Sequence, residues 1–152
     1  MSDLFGTVKD FLQADGWYMR VVPEESTIWA RFVGDNGEWT CAALLHETQS
    51  QLVFYSFLQD AVPEDKRSHV AEFITRANYG MLIGNFEMDW VDGEVRFKTS
   101  IDVKGDELTP ALVRNVVYIN VLTMDHYRHG FVKVLAGAAA PVDVLSVIEG
   151  DA

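Results

Sequence analysis

The residues best suited to bind a metal ion form the run Asp125-His126-Tyr127-Arg128-His129. Two histidines three positions apart on a helix can reach one metal ion, and Asp125 could add a carboxylate oxygen. A zinc site needs three or four ligands, however, and the other two histidines, His46 and His69, lie far away in the chain. The alternative is that the histidines complement the negative end of a helix. We therefore predict no metal and no cofactor.

Nucleophilic catalysis has less support still. Cys41 would need a base beside it, and its place in an alternating strand, on the same side as Ala43, predicts a small buried side chain. Ser68 and His69 with Asp65 have the residue types of a catalytic triad. Neighbours on a helix project about 100° apart, however, and cannot act side by side. We predict that the protein is not an enzyme.

The paired carboxylates Glu87 and Asp89 share one face of a predicted strand. Counting outward from a turn at residues 92–93 places Lys98 opposite Glu87 and Arg96 opposite Asp89. Opposite charges across a hairpin stabilise the pairing. We interpret these residues as a ladder of charges rather than as the acid and base of a hydrolase.

The elements that hold these residues follow from periodicity and turn signals. Apolar residues at helical spacing predict helices at 2–16, 63–80, 110–129 and 141–149, the first capped by Ser2. Period-two stretches predict strands at 27–34, 38–46, 51–58, 82–90 and 94–102. Asn36-Gly37 and Asp92-Gly93 are signals for two-residue hairpins. Residues 17–22 have the pattern of a short strand that Pro23 interrupts, and the count of about five strands leaves them out.

This order of elements, α-βββ-α-ββ-α, predicts an α+β fold, with helices packed on an antiparallel sheet of about five strands. The length of 152 residues predicts a single domain over residues 1–152. With 49% hydrophobic residues the chain can build a core unaided. The first hairpin signal places Ile28, Ala30 and Phe32 on one face with Cys41, Ala43 and Leu45.

Charge excludes one class of partner. The chain has 12 Lys and Arg against 23 Asp and Glu, a net charge of −11. Binding to nucleic acid depends on basic residues that neutralise phosphates, so we predict no nucleic-acid partner. No apolar run reaches the ~18 residues that a membrane helix requires, and the single cysteine fits a reducing compartment. We predict a cytoplasmic protein with no membrane partner.

Several sequence blocks together resemble the YbjN-domain family of bacterial proteins. The blocks are FITRANYG at 73–80, GNFEMD at 84–89, DGEVR at 92–96, TSID at 99–102, NVLTMD at 120–125 and YRHG at 127–130. The resemblance implies a fold like that of type III secretion chaperones, a homodimer, and a part in bacterial sensing or stress regulation. The family offers no catalytic residues to carry over.

These observations favour a non-enzymatic protein-interaction or regulatory domain that captures a partner segment at a sheet edge. Because aromatic side chains dominate interface energies, the candidate partner-binding residues are Trp17, Trp29, Trp39 and Trp90; core burial is the alternative for each. The long helix from Pro110 is apolar on more than one face, which predicts a dimer interface. Its candidate residues are Val113, Val117, Tyr118, Val121 and Met124. The alternative function is a ligand-sensing module, with a small molecule near Asn78, Tyr79 and Asn85.

Overall fold

The computed structural model describes residues 3–150. Four helices and six strands follow one another as α1 (Leu4–Ala14), β1 (Tyr18–Val22), β2 (Thr27–Gly34), β3 (Gly37–His46), β4 (Gln51–Phe57), α2 (Arg67–Tyr79), β5 (Asn85–Met88), β6 (Val95–Asp102), α3 (Pro110–Ala136) and α4 (Pro141–Ile148). All strand pairs are antiparallel, in the order β1-β2-β3-β4-β6-β5. The predicted α+β class is confirmed.

The strand count differs from the prediction by one. Residues 18–22 form strand β1, which pairs along its whole length with β2. Pro23 begins a short 3-10 turn between these two strands and so ends β1 instead of disrupting it. A proline is tolerated at the end of an edge strand because no ladder hydrogen bond is lost there.

Helix α3 begins where its capping signal predicts but ends later than predicted. Thr109 caps this helix, accepting a hydrogen bond from the Leu112 N–H at 3.3 Å, and Pro110 opens it. The predicted stop at Gly130 is wrong, because α3 continues to Ala136. Ser2, the predicted cap of α1, lies outside the described residues; Asp3 caps that helix through the Gly6 N–H at 2.9 Å.

Both hairpins have a register shifted from the one that the turn signals predict. Strand β2 reverses through residues 35–36, since Gly34 pairs with Gly37, yet Ala30 and Cys41 still share a face as predicted. In the second hairpin Arg96 pairs with Glu87 and not with Asp89. Strand β5 is four residues long and ends at Met88. The segment 89–94 is therefore a longer turn than the predicted two residues.

A buried polar network joins α3 to the centre of the sheet. The Asn120 side chain is fully buried, and its Nδ2 donates to the carbonyls of Phe54 at 2.8 Å and Phe97 at 3.0 Å. Its Oδ1 accepts from the Ser56 hydroxyl at 2.6 Å, which in turn accepts from the Trp39 indole N–H at 2.9 Å. Because every buried group has a partner, the network fixes α3 on β4 and β6 without an uncompensated desolvation cost.

Candidate functional site

The histidine run does not assemble a metal centre. His126 and His129 are exposed, while the Asp125 carboxylate accepts hydrogen bonds from the backbone N–H groups of Asp35 at 3.1 Å and Asn36 at 2.8 Å. The carboxylate is thus committed to the turn between β2 and β3. Within residues 3–150, no group of three or more His, Cys, Asp and Glu side chains is arranged to hold a metal ion.

The cysteine considered and rejected as a nucleophile lies in the core. Cys41 is fully buried, and burial raises the pKa of its thiol to about 12. The thiol lies 3.5 Å from the Ser56 hydroxyl and has no basic side chain among its hydrogen-bond partners in the described chain. A neutral thiol without a base cannot act as a nucleophile at neutral pH.

Of the two predicted ladder carboxylates, Glu87 on β5 pairs with cations of β6, whereas Asp89 lies beyond the strand and does not make its predicted pair with Arg96. Glu87 lies 2.6 Å from the Arg96 Nε and 3.3 Å from the Lys98 Nζ, so it serves both cations. Asp89 instead accepts a hydrogen bond from the Val91 N–H at 2.8 Å.

The structure corrects the predicted role of the residues along α3. Four of them lie fully buried against the sheet of their own chain: Val113, Val117, Val121 and Met124. A side chain enclosed in its own core has no surface to offer to a second copy. Tyr118 is half-buried, and its hydroxyl donates to the Asp15 carboxylate. Burial, followed by this hydrogen bond, raises the pKa of Tyr118.

The four tryptophans have different environments. Trp39 is buried in the polar network described above. Trp17 is half-buried, donates to Asp15 at 3.0 Å and stacks against Phe32. Trp29 is half-buried and packs against Phe57, and both rings lie on the face of the sheet opposite the buried core. Only Trp90, with 60% of its surface exposed, presents a large free area.

The polar residues proposed to line a ligand pocket do not enclose one. Asn78 binds both backbone groups of Phe86, donating to its carbonyl at 2.9 Å and accepting from its N–H at 2.8 Å. Asn85 donates to the same carbonyl at 3.2 Å. The Tyr79 side chain is 96% exposed. Asn78 therefore ties α2 to β5, while Asn85 binds its neighbour within β5, and both amides are used by the fold.

Exposed apolar side chains concentrate at both ends of β5, the strand at one edge of the sheet. In the described residues, five of the eleven exposed large hydrophobic side chains lie between positions 79 and 91. We call this surface the β5 border; its members are Tyr79, Leu82, Ile83, Trp90 and Val91. Leu82 is 99% exposed and Val91 is 87% exposed. Clustered apolar exposure of this kind marks protein interaction sites.

Three members of the β5 border lie outside the residues predicted to bind a partner. Leu82 and Ile83 fall within the predicted strand 82–90, and Val91 falls between that strand and the predicted turn. One signal for the first pair was present: residues 79–84 contain two glycines, three large apolar side chains and no charge. An uncharged apolar loop next to an edge strand is unusual on a surface and points to a partner.

The backbone of the turn that carries Trp90 is held by hydrogen bonds. Arg67, the first residue of α2, donates from Nη1 to the carbonyls of Trp90 at 3.2 Å and Val91 at 3.3 Å. Within the turn, the Gly93 N–H donates to the Asp89 carbonyl at 2.8 Å. The backbone is thus fixed while two apolar side chains remain free. We call residues 89–94 the Trp90 turn.

A second surface feature is a cleft between α1 and α3. Its volume is about 650 Å³, and its lining combines the apolar side chains of Phe11 and Leu108 with the charged groups of Asp10, Asp15 and Arg114. The Arg114 guanidinium lies 5.3 Å from the centre of the Phe11 ring, a cation–π arrangement. Volumes of several hundred Å³ are typical of sites for small molecules.

The architecture places the protein in a known fold class. Chains with the same fold include E. coli YbjN, described as a putative transcription regulator, with a TM-score of 0.61 and 11% identity over 81% of this chain and 86% of that one. Another is a chain of the ExsC–ExsE complex, with a TM-score of 0.55 and 15% identity over 83% and 91% of the two chains. A chain of the HopA1–SchA chaperone–effector complex superimposes with a TM-score of 0.47 and 14% identity, covering 80% and 91%. The likeness to the first two of these chains confirms the predicted secretion-chaperone-like fold.

The sequence identifies the family. Residues 6–132 match the YbjN family, described as "Putative bacterial sensory transduction regulator". This chain belongs to the YbjN family, as the sequence blocks predicted. No curated protein matches it. None of the helices of residues 3–150 combines the length and hydropathy that crossing a bilayer would require.

Proposed function

We propose that this protein is a non-enzymatic protein-interaction module that works in sensory or stress regulation as a homodimer. The observation that carries the proposal is the exposure of the β5 border. Exposing five large apolar side chains at one sheet edge is costly in water, and burying one such side chain gains about 2 kcal/mol. The family description, which names a regulator of sensory transduction, supports the regulatory part of the proposal.

Self-association is assigned to the end of the β5 border that has no charge. Tyr79, Leu82 and Ile83 lie in a segment, residues 79–84, without a single ionisable acid or base apart from the tyrosine. Two copies related by a two-fold axis bring the same patch against itself. A neutral patch can meet its own copy without repulsion between like charges.

We place the module in the cytoplasm and treat residues 1–152 as one domain. The single cysteine, which is buried and unpaired among the described residues, supports a reducing compartment. The polar groups of the core are spent on hydrogen bonds between elements, which supports a role without catalysis.

Sedimentation velocity tests the homodimer. The wild-type chain should sediment as a dimer at micromolar concentration, and Leu82→Asp should sediment as a monomer because a carboxylate would be buried in each copy. Tyr18→Asp is the matched control, since Tyr18 is exposed on β1, the strand at the opposite edge of the sheet from β5. A monomeric wild-type protein, or equal effects of the two substitutions, would overturn the proposal.

The cleft between α1 and α3 favours a second candidate function, the sensing of a small molecule. Its mixture of apolar walls, two carboxylates and one guanidinium suits a ligand with both an apolar body and charged groups. A metabolite that binds there should raise the melting temperature of the wild-type chain. The same metabolite should leave Ala111→Trp unchanged, because Ala111 lines the cleft and the larger ring would fill it. If both proteins respond equally, the ligand binds elsewhere.

A further inference from the structure

We propose that the Trp90 turn docks a basic segment of a partner protein, with lysine or arginine next to an apolar anchor. This inference rests on the proposed interaction function and names the chemistry of the partner. It begins from the two apolar side chains of the turn, Trp90 and Val91, which are 60% and 87% exposed. No element of residues 3–150 covers them.

The turn is prepared for binding before any partner arrives. The Arg67 guanidinium holds the carbonyls of Trp90 and Val91, and the Val62 N–H donates to the Gly93 carbonyl at 2.8 Å. A partner that packs on Trp90 therefore does not have to order the backbone. Rigid aromatic anchors in structured turns are the features that dominate interface energies.

Charge identifies the occupant. Four carboxylates lie within residues 87–94, at Glu87, Asp89, Asp92 and Glu94. Asp89 and Asp92 are exposed and make no ion pair within the described chain. Complementary charge steers association and excludes partners of like charge. The apolar patch at this end of β5 is thus matched to a cationic segment.

A surface pocket lined in part by the first and last residues of the Trp90 turn fits the side chain of such a segment. It has a volume of about 260 Å³ and lies between the carboxylates of Glu87, Asp89 and Glu94, with Met88 at its wall. Arg96 also lines it, but Glu87 binds that guanidinium at 2.6 Å and Glu94 lies 4.0 Å from it. A lysine or arginine stem would lie along Met88 while its charged end meets the carboxylate of Asp89, which makes no ion pair within the described chain.

The same charges argue against other occupants. A second copy of this chain would bring its own Asp89 and Asp92 against these two residues, and like charges at a contact are unfavourable. Phosphates of a nucleic acid would meet the same repulsion. The two ends of the β5 border therefore differ: the neutral end suits self-association, and the acidic end suits a basic partner.

The test uses three synthetic peptides that differ only in charge: one built from lysine, serine and leucine, and two analogues with glutamine or glutamate in place of every lysine. The indole N–H signals of the four tryptophans are followed by NMR during titration, and Trp90→Phe assigns the Trp90 signal. The lysine peptide should shift the Trp90 signal. Added salt should lower the affinity for this peptide, because salt screens the attraction between the charges. The glutamine and glutamate analogues should leave the signal in place.

Matched variants separate the turn from the general acidity of the chain. The double variant Asp89→Asn with Asp92→Asn keeps a side-chain acceptor oxygen at both positions of the turn. It should lower the affinity for the lysine peptide about tenfold. Glu24→Gln with Glu25→Gln makes the same change of charge in an exposed turn elsewhere and should not. Trp90→Ala should abolish binding, whereas Tyr18→Ala, which removes another exposed aromatic ring, should preserve it.

Four results would overturn the inference: equal binding of the glutamine peptide, equal losses in the two double variants, shifts at Trp17 instead of Trp90, or a Trp90 shift caused by protein concentration alone. The last would mean that a second copy occupies the turn. If the homodimer proposal is wrong, the protein without peptide will sediment as a monomer. That result would not change the difference in affinity between the peptides, so the two proposals can fail separately.

Discussion

The turns of the two hairpins are stabilised in opposite ways. In the β2–β3 hairpin, the N–H groups of Asp35 and Asn36 face α3 and donate to the Asp125 carboxylate. In the Trp90 turn, the carbonyls face α2 and accept from Arg67, while the apolar side chains point away from the protein. The first turn is bound by its own chain. The second is supported by its own chain and leaves its apolar side chains uncovered.

The glycines of the first hairpin show how close this contact is. A Cβ atom on Gly34 would lie 2.5 Å from an oxygen of Asp125, and one on Gly37 would lie 2.2 Å from the Arg128 Nη1. Gly37 also has a φ of +130°, which favours glycine. Both glycines therefore leave space for the side chains of α3. The difference teaches that a turn becomes available to a partner when its apolar side chains take no part in fixing its backbone.

At neutral pH the largest effect is expected from Asp125→Ala. The substitution removes the acceptor of two backbone N–H groups near the core and should lower the free energy of unfolding by about 2–3 kcal/mol. Urea unfolding measures it. The control is Asp92→Ala in the other turn, where one exposed acceptor is lost and about 1 kcal/mol or less is expected. Equal losses would mean that the two turns are held alike.

Alkaline pH should lower the free energy of unfolding because of Cys41, which lies on strand β3 of the first hairpin. Burial raises the pKa of Cys41 from 9.0 to about 12, so the folded chain keeps a proton that the unfolded chain loses above pH 9. The contribution is complete below pH 9 and falls by about 1.4 kcal/mol for each pH unit towards 12. Tyr118 and Tyr127, whose pKa values burial also raises, act in the same direction.

Urea unfolding at several pH values measures this slope. Cys41→Ala should flatten it and leave only the part that comes from the tyrosines. If the slope above pH 9 is the same in both proteins, the thiol does not titrate with unfolding.

Arg67→Ala should affect the second turn alone. Removing the guanidinium frees the carbonyls of Trp90 and Val91 and should cost about 1 kcal/mol. Amide hydrogen exchange should become faster at Val91 and Gly93 and stay unchanged at Asn36 in the first turn. Faster exchange in both turns would show that Arg67 supports the whole sheet.

The smallest effect on stability is expected from Trp90→Ala. A largely exposed side chain contributes little to folding, so the free energy of unfolding should change by less than about 0.5 kcal/mol. A loss of 2 kcal/mol or more, roughly the value of a buried side chain, would assign Trp90 to the core and not to an interface.

Local patterns in the sequence were sufficient for the order of most elements. Helices and strands depend on periodicity and caps that neighbouring residues supply, and Thr109 with Pro110 marks the start of α3 correctly. The pairing registers of the two hairpins could not be predicted from local patterns alone. Each hairpin is displaced because contacts far along the chain, such as Asp125 with Asn36, decide where the strands reverse.

Two errors have a common physical cause, which is packing between helices and sheet. Gly130 was interpreted as a helix stop, but a Cβ there would lie 2.5 Å from the Phe73 ring and 2.2 Å from Ile148. The glycine serves a close approach of α2, α3 and α4. Similarly, apolar residues around α3 predicted a dimer interface because the sequence does not show how much of the helix the sheet and its own neighbours cover.

Helix α2 spans the length of the β5 border and sets its dimensions. Its first residue, Arg67, holds the Trp90 turn, while Asn78 near its end holds Phe86 and Tyr79 closes the helix within the uncharged segment. Thirteen helical residues measure about 20 Å. The helix thus fixes the distance between the two ends of strand β5, so that molecules bound at these ends would keep a constant separation. Lengthening α2 by one turn would change that distance.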